Sequence, residues 1–323
     1  MTISDEVFEN HAEKWSKILA KGYYQYRRNW PRRLFRHEPV ENAALIINSG
    51  QLLSRVQARG KIARDIADAQ VLATQKAAHS KARLYFRPLN PTQYHVEGIR
   101  RAGDFFNGDP TNHAPVLVIF VFESKYILQT EGVMFSDGNM QRNETEVYSD
   151  EAEFISLPFD QIYHTGPYSS GEDIKRRRCA EVLLPSPLAL DDRLQAVMCR
   201  SPAERSFLLH LLTPERRETW ANRVRVYSEP GLFEDRFLYV KTVTLSSGEL
   251  GATVKLRHDG ARFKIRMKVS GSGVDHDGEG SGTGGAWRLA LNPRLGPGDY
   301  LVELWLDDCL AYQALSHLDE APF

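Results

Sequence analysis

Lys175-Arg176-Arg177-Arg178-Cys179-Ala180-Glu181-Val182-Leu183-Leu184-Pro185 is the stretch from which the fold of this chain is read. Four consecutive cations run into a short apolar strand that carries one carboxylate, Glu181, and a proline ends the run. Strand alternation puts Cys179, Glu181 and Leu183 on one face and Ala180, Val182 and Leu184 on the other. A solitary acid among hydrophobes is costly unless it is paired, hydrogen-bonded or used. The cations beside it would draw a polyanion to the same place. Two readings follow: an acid at a strand end satisfied by a nearby arginine, as in ordinary structural ion pairs, or a functional carboxylate in a site that meets an anionic partner.

Working outward, the composition narrows the choice. A chain of 323 residues is long for one domain and predicts two units. Lys and Arg number 41 against 42 Asp and Glu, a net charge of -1, so any nucleic-acid binding must come from local patches. Cys179, Cys199 and Cys309 are too few and too scattered for a disulfide framework or a zinc site, which points to a reducing compartment. The opening Met1-Thr2-Ile3-Ser4-Asp5-Glu6 has no basic n-region and no long apolar h-region. The longest apolar run, Pro115 to Phe122, is far shorter than a membrane span. The expectation is a soluble cytoplasmic protein with no membrane partner.

Before the opening stretch the pattern is mixed. Val7, Phe8, Ala12, Trp15, Ile18 and Leu19 recur at helical spacing and predict an amphipathic helix over residues 5–20. Lys21 to Arg36 interleaves cations with tyrosines, Trp30 and Phe35. That is the composition of a single-strand binding surface, where bases stack on rings and cations follow phosphates; the alternative is a solvated arm whose aromatics plug a core. Glu38-Pro39-Val40 opens a helix that Gly50 stops, and a second helix is expected over 61–78. Residues 84–86 read as a strand, 87–91 as a turn, then a brief helix to Gly98, and 103–115 as a surface loop. Val116 to Phe122 predicts a central strand buried on both faces. Val133-Met134-Phe135 is a short strand closed by the turn Ser136-Asp137-Gly138-Asn139, and Glu151 to Ile162 reads as a helix and loop.

Near residue 222 the grammar changes. Segments 224–227, 237–245, 252–257, 262–269, 286–291, 300–306 and 309–313 alternate apolar and polar between glycine turns, the pattern of a small β-sandwich. Gly271 to Gly285 reads as a flexible loop, in which Asp275, His276 and Asp277 form a hydrated tip rather than a metal site. His210 reads as a satisfied imidazole on an apolar helix rather than a ligand. No P-loop, dinucleotide fingerprint, Gly-x-Ser-x-Gly elbow or His-Glu-x-x-His helix is present, and no metal is expected.

Four pieces, in one order, carry a resemblance over roughly residues 31–190. They are Leu34-Phe35-Arg36-His37 leading through Val40-Glu41-Asn42 into Ile47-Asn48-Ser49-Gly50-Gln51-Leu52-Leu53-Ser54; Leu84 to Tyr94; Val133 to Asn139; and Arg178 to Leu183. Together they resemble the DarT-type nucleic-acid ADP-ribosyltransferase toxins, among which an mRNA-directed, CmdT-like branch also falls.

The resemblance implies a fold that binds NAD between two small sheets and moves ADP-ribose onto a base in single-stranded DNA or RNA, as the toxin of a toxin-antitoxin or antiviral defence system. It puts the catalytic acid on Glu181 and the NAD-holding opening on Arg36 and His37. The His lies one place later than in the family, and Glu38 stands where the family has a hydroxyl, so either Arg36 or His37 faces the nicotinamide. The family's helix arginine aligns near Thr74 and Gln75; Lys76, Arg64 or the basic run would have to replace it. The segment from Tyr85 to Tyr94, with Asn90, is expected to wrap the nicotinamide, Tyr85 or Tyr94 stacking on a ring. Arg87, Arg176, Arg177 and Arg178 are expected to meet pyrophosphate or the incoming strand.

The expected class is therefore α+β: an N-terminal helix and arm (1–30), an ADP-ribosyltransferase-like domain (31–221) and an all-β, sandwich-like interaction domain (222–323) that docks an antitoxin, a chaperone or a phage component. The competing readings are an inactive binding module on the same fold and a protein-directed transferase.

Overall fold

A computed structural model describes residues 2–66, 79–169, 173–191, 193–227 and 230–319. Helix α1 (Asp5–Leu19) starts where the Ser4 hydroxyl accepts the Val7 N–H, and buries Phe8, Ala12 and Leu19. The arm that follows coils into a 3-10 segment, Gln25–Arg32, and runs directly into strand β1 (Arg33–Pro39). Helix α2 (Val40–Ser49) begins after Pro39 and stops at Gly50, whose φ of 72° is the left-handed cap that glycine adopts without a Cβ clash. Next come β2 (Gln51–Leu52), α3 (Arg55–Ala58), β3 (Ala82–Tyr85), α4 (Pro91–Val96), β4 (Leu117–Glu123), α5 (Ser124–Leu128), β5 (Met134–Ser136) and β6 (Val147–Tyr148). The unit continues with α6 (Glu151–Ser156), α7 (Phe159–Ile162), α8 (Ile174–Arg177), β7 (Glu181–Leu184), β8 (Leu188–Ala189), β9 (Leu194–Cys199), α9 (Pro202–Leu211), α10 (Pro214–Trp220) and β10 (Val224–Val226).

An eight-stranded sheet of order β10-β9-β4-β1-β3-β7-β5-β6 forms the heart of this unit. The Val116–Phe122 run lies inside it, buried along its length as expected, and pairs with all of β1 from Arg33↔Glu123 to Pro39↔Leu117. On the other side β3 pairs with β7, so that Tyr85 lies opposite Glu181. The strand holding the acid is thus two places from β1, which delivers Arg36 and His37 to the same neighbourhood.

The C-terminal region has β11 (Tyr239–Leu245), β12 (Glu249–Lys255), β13 (Phe263–Gly271), β14 (Val274–Gly282), β15 (Ala286–Ala290), β16 (Gly298–Leu306) and β17 (Cys309–Leu318). They form a three-stranded sheet, β11-β12-β15, and a four-stranded sheet, β14-β13-β16-β17. Phe263, Ile265, Met267 and Val269 of β13 and Tyr300, Val302, Leu304 and Leu306 of β16 alternate into the core. Each such side chain, fully buried, contributes on the order of 1.5–3 kcal/mol.

Three expectations are corrected here. Gly271–Gly285 is no loop: Val274–Gly282 is a strand paired with β13 throughout. Its small residues are required because a Cβ at Gly278 would sit 2.5 Å from Leu289 and one at Gly280 2.9 Å from Trp287. A glycine-rich strand thus beds large side chains of the other sheet. Within it Asp275 and Asp277 pair with Lys268 and Arg266, not with a metal. Residues 224–226 pair in parallel with Val197–Cys199 of β9, so they complete the first sheet, and the division drawn at 221/222 falls inside the first unit. Residues 61–66 are turn and bend rather than helix, and the rest of the helix expected over 61–78 lies outside the described residues, as do Thr74, Gln75 and Lys76.

Candidate active site

Between β1, β3, α2, α4 and α8 lies a cleft of about 1220 Å³, larger than most small-ligand pockets. Arg36, His37, Glu38, Arg64, Arg83 and Tyr85 are among the residues that line it, with Thr92, Lys175, Arg176 and Cys179. The His37 ring is parallel to the Tyr85 ring, 5.2 Å between centroids and 8° between planes. Burial first, then the charges of Arg36 and Arg83, lowers the His37 imidazole to about 3, so it stands neutral at neutral pH. Burial and the Glu181 charge push the Tyr85 phenol well above its ordinary range. One wall therefore offers two uncharged, stacked rings. Arg36 is held to Glu38 at 2.6 Å and also points an N–H at the Arg83 carbonyl, 3.4 Å away.

Glu181 is 1% exposed, at the first position of β7. Its backbone N–H is accepted by the Ser136 hydroxyl at 3.0 Å, which ties β7 to the turn after β5. Its carboxylate receives two N–H groups from Arg83, one through Nη2 at 2.5 Å and one through Nε. Arg83 comes from β3 two residues before Tyr85, and its side chain remains 19% exposed toward the cleft. Burial would lower the Arg83 guanidinium, yet the Glu181 charge outweighs it and raises it further, so the guanidinium stays charged. A carboxylate has about four acceptor positions. Arg83 occupies two, and no other described residue is bonded to the rest.

Arg83 is the residue that sequence reading missed. The signal for it was present, because extending the 84–86 strand by one residue places it on the same alternating face as Tyr85.

The structure brings Arg36, His37, Tyr85 and Arg176 to the cleft, but it puts other predicted site residues to different work. Asn90 is 1% exposed and caps α4: its Oδ1 accepts the Gln93 N–H at 2.9 Å and its amide donates to the Arg87 carbonyl. Tyr94 is not among the cleft residues; it packs with Phe237 at 6.3 Å and under Arg100 and Arg236. Arg87 is 2% exposed, and its N–H groups are spent on the carbonyls of Pro88, Leu89 and His164. It is a bracket for the loop, not a phosphate contact. For Asn90 and Arg87 the cause is the same: a polar side chain inside a turn satisfies the turn's own backbone before it can serve a ligand.

The basic run is a short helix rather than part of the strand, and its members diverge. Arg176 and Arg177 both clasp Asp137, and both also reach Asp173. Gly138 permits this approach, since a Cβ there would stand 2.7 Å from Arg176 Nη1. Arg178 turns the other way, donating to His164 Nδ1 and the Gly166 carbonyl at 2.6 and 2.7 Å and lying 4.9 Å from the Tyr168 ring. Cys179 is buried, which pushes its thiol up to about 11 and makes it a wall residue rather than a nucleophile. Arg64, one candidate for the family's helix arginine, lines the cleft and pairs with Glu41 at 3.1 Å.

No group of three or more His, Cys, Asp or Glu that could hold a metal ion occurs among the described residues, and no helix there is long and apolar enough to cross a membrane. What remains is a mixed α/β sheet unit in which a buried acid, Glu181, is gripped by Arg83 at the wall of a large cation-lined cleft. The sequence model of the family described as ssDNA thymidine ADP-ribosyltransferase, DarT, matches residues 35–233, and the chain belongs to that family. Similar solved structures include Thermus sp. 2.9 DarT in complex with ADP-ribosylated ssDNA (TM-score 0.48, 14% identity, 61% of this chain and 94% of that one). The same Thermus protein in complex with NAD+ gives 0.47, 14%, 61% and 96%. Thermosipho africanus DarTG in complex with ADP-ribose gives 0.44, 19%, 62% and 50%. No curated protein matches.

Proposed function

We propose that this protein is an NAD-dependent ADP-ribosyltransferase that modifies a base in single-stranded nucleic acid. The observation that carries the reading is that the family-matched residues build the cleft itself, with Arg83 at its wall holding the buried Glu181 behind it. NAD is the substrate, and it supplies an ADP-ribosyl group that leaves nicotinamide behind.

In this reading the neutral His37–Tyr85 pair meets the flat nicotinamide, and Arg36, Arg64 and Arg83 offset the pyrophosphate charge. Glu181 uses its two remaining acceptor positions on the ribose side. There a fixed, ionised carboxylate accepts a hydrogen bond from a ribose hydroxyl and stabilises positive charge as the nicotinamide bond lengthens. It can then accept the proton from the attacking base nitrogen. Arg83 is a positioning residue: it fixes the carboxylate's orientation from the neighbouring strand.

The family description favours single-stranded DNA as the strand, with RNA as the second substrate to try. The biological setting we assign is cytoplasmic, as the toxin of a toxin-antitoxin or antiviral system, with the C-terminal sandwich as the antitoxin dock. Purified protein incubated with NAD and separate DNA and RNA oligonucleotides, followed by mass spectrometry of the nucleosides, should show one base heavier by one ADP-ribose. An unmodified nucleoside pool in both arms would end the reading.

The near-complete burial of Glu181 favours one alternative, a binding module on the same fold that has lost catalysis. It predicts strand binding with no nicotinamide release, and any release that depends on Glu181 excludes it.

A further inference from the structure

Arg27, Arg87 and Arg178 form a cluster of guanidiniums bonded to no carboxylate among the described residues. Arg27 donates to the Tyr24 and Tyr163 carbonyls, at 3.1 and 2.9 Å. Arg87 and Arg178 donate to carbonyls and to His164, as described above. The rings of Tyr24, Trp30 and Tyr168 complete the surroundings, each within 4.8–5.6 Å of one guanidinium carbon. Burial first, then the nearby Arg178 charge, brings Arg87 down to about 9. Glu234, a carboxylate whose own titration feels Arg87, lies 3.9 Å from Arg236. Positive charge is thus concentrated here with no ion pair of its own among the described residues, whereas Arg176 and Arg177 of the same run have Asp137 and Asp173.

The cluster opens onto an aromatic surface. Tyr23 is 89% exposed and Tyr168 40%, although burying such rings is ordinarily favourable. Tyr23 meets Tyr24 edge-on at 5.1 Å, and Tyr24 in turn lies against Gly166, where a Cβ would be 3.6 Å from its ring. Lys21 and Arg28 beside them are exposed and join no ion pair among the described residues. This surface adjoins the cleft through α8: Arg178 caps that helix, and Lys175 and Arg176 within it line the cleft. The arm itself precedes the residues the family model covers.

We propose that the arm Lys21–Arg28, with Tyr168 and Arg178, is a shelf for single-stranded nucleic acid outside the cleft. Tyr23 and Tyr168 stack on bases, and Lys21, Arg27, Arg28 and Arg178 follow the phosphates. Its role as a feeder of substrate strand rests on the transferase reading; the binding itself does not.

The test is fluorescence anisotropy without NAD, on the Glu181→Gln protein, using a labelled single-stranded DNA of about 16 nucleotides, its RNA counterpart and the duplex, a length that spans a typical single-strand site. Adding Tyr23→Ala and Arg28→Ala should weaken single-strand binding about tenfold or more. It should also reduce the salt slope by about 0.7, one phosphate contact's share. Both positions are exposed, so the fold is spared, and melting curves verify this. Unchanged affinity in the double variant, equal affinity for duplex, or no binding by the starting protein would each overturn the shelf. Nicotinamide release by the wild type, measured in parallel, reports on the cleft alone: its absence together with strand binding that depends on Tyr23 and Arg28 removes the transferase and keeps the shelf.

Discussion

Arg83 and Arg200 both meet buried carboxylates, yet the two clusters are built to opposite ends. Arg200 of the β9–α9 junction is 3% exposed and sits between Glu97 and Glu204, both 0% exposed. It bonds Glu204 through Nη2 at 2.5 Å and Glu97 through Nη1 at 3.2 Å, while Tyr239 covers its face at 4.5 Å. Glu97 also accepts from the Gln93 amide and the Glu234 N–H. The result is a sealed rivet joining α4, α9 and the segment that leads into the sandwich. Arg83 opens on a cleft, and its partner keeps free acceptor positions. Pairing alone therefore does not tell a structural acid from a working one. Residual acceptor capacity beside accessible space does.

The largest expected effect is on the sealed side. Arg200→Met leaves two carboxylates buried without their cation and should cost about 3–5 kcal/mol in urea unfolding, with transfer per folded molecule little changed. A loss under about 1 kcal/mol would mean that the rivet holds nothing. On the open side, Glu181→Gln should reduce nicotinamide release and strand labelling by about 10²–10³-fold. Its melting temperature should move only a few degrees, because Arg83 can reach water through the cleft. A stability loss as large as that of Arg200→Met would erase the contrast between the clusters.

A smaller effect is set by pH. His37 holds its proton to about 3 in the fold but near 6.5 unfolded, so between those values only the unfolded chain is protonated there. Stability is then complete above about pH 6.5 and falls as pH drops toward 3, by at most about 1.4 kcal/mol per pH unit for this group. His11, also brought to about 3, first by burial, adds a slope of the same sign. Melting curves from pH 7 to 5 should be steeper for the wild type than for His37→Gln, and equal slopes would argue against a neutral, buried His37. The smallest effect is expected at Gly138→Ala. Its Cβ must displace Arg176 from Asp137, for about 1 kcal/mol. An unchanged melting temperature would show that this guanidinium relocates freely.

How much of this was legible in sequence varied with the range of the interaction. Helix α1, the Gly50 stop, the Val116–Phe122 strand and the isolated acid in 181–184 follow from local periodicity and backbone preference, and each lies where those rules put it. Local rules did not show where Asn90, Arg87 and Tyr94 would point: a motif says that a polar group or ring is present, but not which backbone atom or distant side chain it meets. The glycine-rich 274–282 segment read as a loop since its partners, Trp287 and Leu289, belong to the opposite sheet.

Two things about this protein were determined by its sequence: that a lone carboxylate would end up in an apolar strand behind a cationic run, and that a β-rich region would follow a mixed one. Both depend on neighbours within a few residues, whose spacing the chain cannot alter. Only the tertiary structure decided that Glu181 would be held by an arginine 98 positions earlier, and that Arg176 and Arg177 would clasp Asp137 while Arg178 turned to His164 and Tyr168. Those outcomes turn on strand register and on which charges are desolvated together, and both are fixed only when the sheet closes.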